Sequence, residues 1–234
     1  MLRLLLILAL TMLLIGCVQN EPAPEPTPAE PARIVFFGDS ITEAGVQPGG
    51  YVTLADSTLQ AANPDRRIEV IGAGINGHKV PDLQARLERD VLSHDPTHVV
   101  IYIGINDVWH FHKFEGVTGT EADVFEAGLR DLIGQMQAAG AEVALCTPSV
   151  IGEDPDDGSI ENADLGRYAD ISRRVASETG SALCDLRDAF ETHLRANNAD
   201  KAYEGILTTD GVHLNSVGNQ FVANQMVQVL TPLL

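Results

Sequence analysis

A serine, an aspartate and a histidine stand at points of this 234-residue chain where apolar runs break off. Ser40 follows Gly38 and Asp39 in IVFFGDSIT, residues 34–42, and Asp210 and His213 lie three apart in TTDGVHLN, residues 208–215. Such a set fits acyl transfer. A serine hydroxyl is a poor nucleophile until a base takes its proton, and imidazole is suited to that task near neutral pH. The imidazole must in turn be held in one tautomer, which an aspartate three residues upstream on the same turn can do by accepting the Nδ1 proton. Attack on a carbonyl then builds an oxyanion that needs hydrogen-bond donors, each worth roughly 3–4 kcal/mol of barrier in comparable sites. The candidates are the backbone N–H groups of Ser40 and of Gly77 in GAGINGHKV (72–80), and the side-chain amide of Asn106 in YIGINDV (102–108). Plainer readings stand beside these. Ser40 and Asp39 can cap a turn, with Asp39 shaping the loop rather than serving as the acid of the triad; Gly77 can occupy a left-handed turn; Asn106 and Asp107 can support a loop. A cap alone leaves the Asp210-x-x-His213 spacing unexplained.

These residues need elements that carry them to one place. Five short apolar runs, ARIVFF, RIEVIG, HVVIYIG, EVALCTP and SALCDL, alternate with helical patterns near 50–62, 80–93, 121–139, 163–179, 186–197 and 215–230. Continuous apolar runs suit strands buried on both faces. Helices of this length between them predict right-handed crossovers and a mainly parallel sheet, in a three-layer α/β/α, flavodoxin-like arrangement of five strands. Ligands of open α/β sheets bind at the carboxyl ends of the strands, so the four segments are expected on one rim. No repeat or second boundary interrupts residues 33–234, which read as one domain.

The four segments GDSIT, INGH, GIND and DGVH, in that order, resemble the four blocks of the SGNH/GDSL hydrolase superfamily. The likeness runs over residues 33–230. It implies a serine esterase or acylhydrolase working through an acyl-serine intermediate without a cofactor, with Ser40 as nucleophile, Asp210 and His213 completing the triad, and Ser40, Gly77 and Asn106 forming the oxyanion hole. A G-x-S-x-G elbow is absent, which argues against the ordinary α/β-hydrolase arrangement. Many members of the superfamily carry Asp or Asn after the glycine of the second block; His78 stands there in this chain and is expected to alter that wall of the pocket.

The run NDVWHFHKF, residues 106–114, reads as a loop after the third strand, crowded by Trp109, His110, Phe111, His112 and Phe114. Trp109 and His110 suit a substrate wall over the rim. A rarer reading makes His110-x-His112 metal ligands with Asp107 or Asp39, and the protein a metal-assisted hydrolase. A third class is a non-catalytic surface protein using the same rim to bind glycans. The acidic stretch 148–164, PSVIGEDPDDGSIENAD, reads either as a second wall or lid or as a solvated excursion.

The N-terminus reads as a targeting segment. Arg3 precedes LLLILALTMLLI, too short for a stable span of about 20 residues, so residues 1–16 are expected to be a signal peptide. LIGC (14–17) resembles a bacterial lipobox, which makes Cys17 the lipidated first residue of an exported, membrane-anchored lipoprotein. Val18 fits sorting to the outer membrane, and the periplasm or cell surface is the expected location. Residues 18–32 hold five prolines, three glutamates and no aromatic, a composition for an extended tether. The net charge of −18, or −19 once residues 1–16 with their single charged side chain Arg3 are removed, opposes nucleic acid or other polyanions as partners. A small-molecule or carbohydrate ester is the expected partner, with short acyl groups such as acetyl preferred, and the domain is expected to work alone. Cys146 and Cys184 fall inside strand-like runs and read as buried free thiols, with a disulfide as the alternative in an exported protein.

Overall fold

The chain is described as a computed structural model covering residues 31–113 and 116–234. The signal segment, Cys17, most of the tether and Phe114 lie outside the described residues.

Residues 34–37 are wholly buried branched and aromatic side chains, which places them in the middle of a sheet covered on both faces. They form the core of β1 (Ala32–Gly38), flanked by β2 (Ile68–Gly74) on one side and by β3 (His98–Tyr102), β4 (Glu142–Cys146) and β5 (Ala182–Cys184) on the other. The order is β2-β1-β3-β4-β5 and every pairing is parallel. The expected flavodoxin-like sheet is therefore present. Cys146 and Cys184 are partners in register on β4 and β5, both buried with free thiols.

Helices cover both faces. On one, α2 (Tyr51–Ala62) packs against α8 (Ser216–Leu230), and Phe190 of α7 (Leu186–Asn197) meets Phe221 of α8 edge-on at 5.3 Å. On the other, α3 (Val80–Asp90), α5 (Ala122–Ala138) and α6 (Ile160–Thr179) pack in series. Two helices were not expected from the sequence. One is the single turn-and-a-half α1 (Ser40–Gly45), which starts at the end of β1; the other is α4 (Ile105–Lys113), where a loop was expected. In α4 the whole first turn, Ile105 to Val108, is buried, and Ile105 and Val108 have a helical spacing that the aromatic and histidine content obscured. Helix α6 begins at Ile160, earlier than expected, because the Ser159 hydroxyl caps it by accepting from Asn162 N–H at 3.1 Å.

Candidate active site

The end of β1 runs directly into α1, and Ser40 is the first residue of that helix. Asp39 is the N-cap: its carboxylate accepts from the Ile41 N–H at 3.0 Å, which fixes the turn. Its structural part was read correctly from the sequence. Burial pushes the Asp39 carboxyl up to about 7, against the pull of that backbone hydrogen bond and with the neighbouring Asp107 charge adding to the rise.

Ser40 Oγ lies 2.9 Å from His213 Nε2, although 173 positions separate them in the chain. His213 Nδ1 lies 2.7 Å from an Asp210 oxygen. The other Asp210 oxygen accepts the backbone N–H groups of Val212 at 3.0 Å and His213 at 2.7 Å. Burial alone would raise the Asp210 carboxyl, but the hydrogen bonds from the His213 ring and backbone outweigh it and hold it below its ordinary value. An ionised Asp210 therefore accepts the hydrogen bond from Nδ1–H, leaving Nε2 as the acceptor facing Ser40.

The loop after β2 is tied to the end of β1, where the Ile75 N–H donates to the Gly38 carbonyl at 3.3 Å. Gly77 has φ +74°, in the left-handed region that favours glycine, and a Cβ built there would meet nothing within 4 Å. Asn106, one residue into α4 and buried, donates from Nδ2 to the His78 carbonyl at 3.1 Å. The wholly buried Asp107 accepts from the Val80 N–H at 3.1 Å, pinning the first turn of α3 to α4. Burial raises its carboxyl to about 6, with the hydrogen bond from Thr120 opposing.

Helical spacing sorts the rest of α4. Trp109 and His110, three and four residues beyond Asn106, share its face; both are half-buried, and the Lys113 ammonium sits 5.6 Å from the Trp109 ring centre. His110 is lowered mainly by burial, with Lys79 adding to the effect. His112 turns to α6, where its Nε2 lies 3.0 Å from Asp164. The metal reading therefore needs correction: residues two apart on a helix point in opposite directions, so His110 and His112 do not converge with Asp107. Among the described residues no cluster of three or more His, Cys, Asp or Glu side chains is placed to hold a metal ion.

His78 enters the site through its carbonyl. Its ring accepts from Arg86 Nε at 3.1 Å, and burial followed by the Arg86 charge lowers its imidazole from the ordinary value. Arg86, almost wholly buried, also donates to the carbonyls of Ala73 at 3.0 Å and Gly38 at 2.7 Å, and stacks 4.5 Å above the Phe37 ring. It thus joins the ends of β1 and β2 to the loop carrying Gly77. Sequence reasoning passed over this residue, although a charged side chain on the apolar stripe of Val80, Leu83 and Leu87 was a usable signal.

A parallel sheet whose carboxyl edge carries a hydrogen-bonded serine–histidine–aspartate series defines the class, an α/β serine hydrolase on a flavodoxin-like frame. The chain belongs to the GDSL-like lipase/acylhydrolase family, whose model matches residues 36–221, and is a carboxylic ester hydrolase. It is 32% identical over 209 residues to an acetylxylan esterase of Geobacillus stearothermophilus, covering 84% of this chain and 92% of the other. The isoamyl acetate-hydrolyzing esterase 1 homolog of Rattus norvegicus is 27% identical over 206 residues, covering 81% and 78%. A crystal structure of the acetyl xylan esterase AlAXEase superimposes with a TM-score of 0.80 at 44% identity, covering 84% of this chain and 98% of that one.

Proposed function

We propose that this protein is a serine esterase that removes small acyl groups, acetyl above all, from carbohydrate. The observation that carries the reading is the 2.9 Å contact between Ser40 Oγ and His213 Nε2, backed by the 2.7 Å contact of His213 with Asp210. Both named sequence relatives are, by their names, esterases of acetate esters, and that supports acetyl as the group transferred.

In this mechanism Ser40 Oγ attacks the ester carbonyl as its proton passes to His213 Nε2, and Asp210 stabilises the imidazolium. As the first residue of α1, Ser40 has no intrahelical partner for its N–H, so that donor serves the oxyanion together with Gly77 N–H and the second hydrogen of Asn106 Nδ2. His213 then returns the proton to the leaving alcohol. Water, deprotonated by the same imidazole, attacks the acyl carbon, and acetate leaves as the Ser40 hydroxyl is restored. Trp109 and His110 form a wall beside the oxyanion donors for the sugar to lie against. Replacing Ser40 with Ala is expected to abolish hydrolysis of p-nitrophenyl acetate and the adduct with a fluorophosphonate, with an unchanged circular dichroism spectrum. Undiminished turnover by that variant would falsify the reading.

The same proposal makes Cys17 a lipid anchor for an exported enzyme, supported by LIGC at residues 14–17 and the Pro/Glu-rich tether after it. Replacing Cys17 with Ser should move the protein from the membrane fraction to the soluble one when it is expressed in a bacterium.

A further inference from the structure

The segment bearing Asp210 and His213 is irregular backbone, so something other than helix or strand must hold its shape. Short-range bonds supply part of the answer. Thr209 N–H donates to the His213 carbonyl at 2.8 Å and Asn215 N–H to the Leu207 carbonyl at 3.0 Å, closing residues 207–215 into a narrow loop. The remainder comes from a carboxylate far away in sequence.

Glu153 belongs to the acidic stretch after β4, yet it is wholly buried. Three successive backbone N–H groups wrap around its carboxylate: Ile206 donates to Oε2 at 2.7 Å, and Leu207 and Thr208 each donate to Oε1 at 2.6 Å. The Thr208 hydroxyl also donates to Oε1, at 2.9 Å, and itself accepts the Gly211 N–H at 3.1 Å. A relay thus runs from Glu153 through Thr208 to the peptide that follows Asp210. Two backbone bonds reinforce it, Gly152 N–H to the Gly211 carbonyl and Glu153 N–H to the Tyr203 carbonyl, both at 2.8 Å. Hydrogen bonds to an ionised acceptor are roughly twice as strong as neutral ones, and a buried carboxylate short of donors is heavily penalised. The segment therefore has one low-energy course past Glu153.

We infer that Glu153 is a positioning residue for the Asp210–His213 pair, holding the backbone of residues 206–211 so that the imidazole meets Ser40. The inference rests on the serine mechanism proposed above, and Ser40→Ala, run in parallel, separates the two: hydrolysis surviving that change sinks the mechanism, whatever Glu153 does.

The test uses Glu153→Gln in the full chain, which puts an NH₂ group where the carboxylate faces N–H donors. Misplacement of reacting groups by about an ångström can cost on the order of 100-fold. The expected result is a fall of roughly 10- to 100-fold in kcat for p-nitrophenyl acetate with KM changed by less than about 2-fold, and a parallel fall in the rate of fluorophosphonate labelling at Ser40. In an Asp210→Asn background, the same substitution is expected to change the labelling rate by less than about 2-fold, because the pair it supports is already disabled. If Glu153→Gln does not fold, Thr208→Val, which cuts the hydroxyl relay alone, goes through the same pair of backgrounds. Equal losses in the two backgrounds, or native kcat in a folded variant, overturn the assignment.

Discussion

The side-chain amide of Asn106 donates to the backbone carbonyl of His78 at 3.1 Å, which ties the exit of β3 to the loop carrying Gly77. One of the two Nδ2 hydrogens is used in this way, and the other is left for a substrate oxygen. Replacing Asn106 with Ala removes a donor and loosens the Gly77 peptide at the same time. Loss of one such donor costs about 10²- to 10³-fold in kcat, and the expected effect for Asn106→Ala lies at the upper part of that range. Steady-state kinetics on p-nitrophenyl acetate check it. A loss under roughly 3-fold, against that range, would remove Asn106 from the oxyanion hole.

How far the site was legible follows from where its partners lie. Ser40, Gly77 and Asn106 each sit just past an apolar run and the Asp210/His213 pair just before a helix, so local pattern singled them out, and a parallel sheet predicts that such ends share a rim. Helix α4 escaped because Trp109, His110 and His112 suggest a pocket by type, while the period of Ile105 and Val108 spans only one turn. Glu153 left no local mark at all. Its donors lie 53 to 55 positions further on, and in sequence it is one acid among several in PSVIGEDPDDGSIENAD. Only the course of the chain turns it inward.

Asp39 and Asp107 predict an unusual pH response. Desolvation by burial raises Asp39 from an ordinary 3.8 to about 7 and Asp107 from 3.8 to about 6, and the Asp107 charge adds to the rise of Asp39. Below about pH 4 both the folded and the unfolded chain hold these protons, so the pair contributes nothing to the pH dependence. Above about 4 the unfolded chain has lost them, while the folded chain keeps the Asp107 proton to about 6 and the Asp39 proton to about 7, so stability falls as pH rises through that window; above about 7 the penalty is constant. Asp39→Asn keeps the oxygen that caps Ile41 and removes one titration. Its Tm is expected to fall less than that of the native protein between pH 4 and 7 and to exceed it at pH 8. Thermal melts that differ only by a constant offset would show that Asp39 does not titrate in this window.

Gly211 tests the shape of the loop directly. Its φ is +84°, and a Cβ built there would come 2.4 Å from the Tyr203 ring. Two strains follow from Gly211→Ala, one from the left-handed backbone and one from the clash, and the first alone is worth on the order of 1–3 kcal/mol. Stability should fall by at least that amount, with kcat falling as well because the Gly211 N–H and carbonyl hold the loop at Thr208 and Gly152. Adding Tyr203→Ala relieves only the clash, so the double variant is expected to regain part of the stability. Chemical denaturation of the native protein and the two variants measures this, and a Gly211→Ala protein as stable as the native one would exclude a strained loop.

Trp109 tests whether the proposed wall on α4 recognises sugar. Its ring is packed against the core along one side, shares the helix face of Asn106 and has the Lys113 ammonium 5.6 Å away. A flat apolar ring in that position offers a pyranose a face to lie on, and comparable ring contacts are worth about 0.5–1.5 kcal/mol. An ester with no ring in its alcohol cannot use that face. Trp109→Ala should therefore lower kcat/KM for an acetylated oligosaccharide by up to about 10-fold, mostly through KM, and leave that for ethyl acetate within about 2-fold. If both substrates lose equally, Trp109 acts by supporting α4 and with it Asn106; if neither loses, the sugar lies elsewhere on the rim. Only the unequal response makes Trp109 part of how this esterase selects the alcohol half of its substrate.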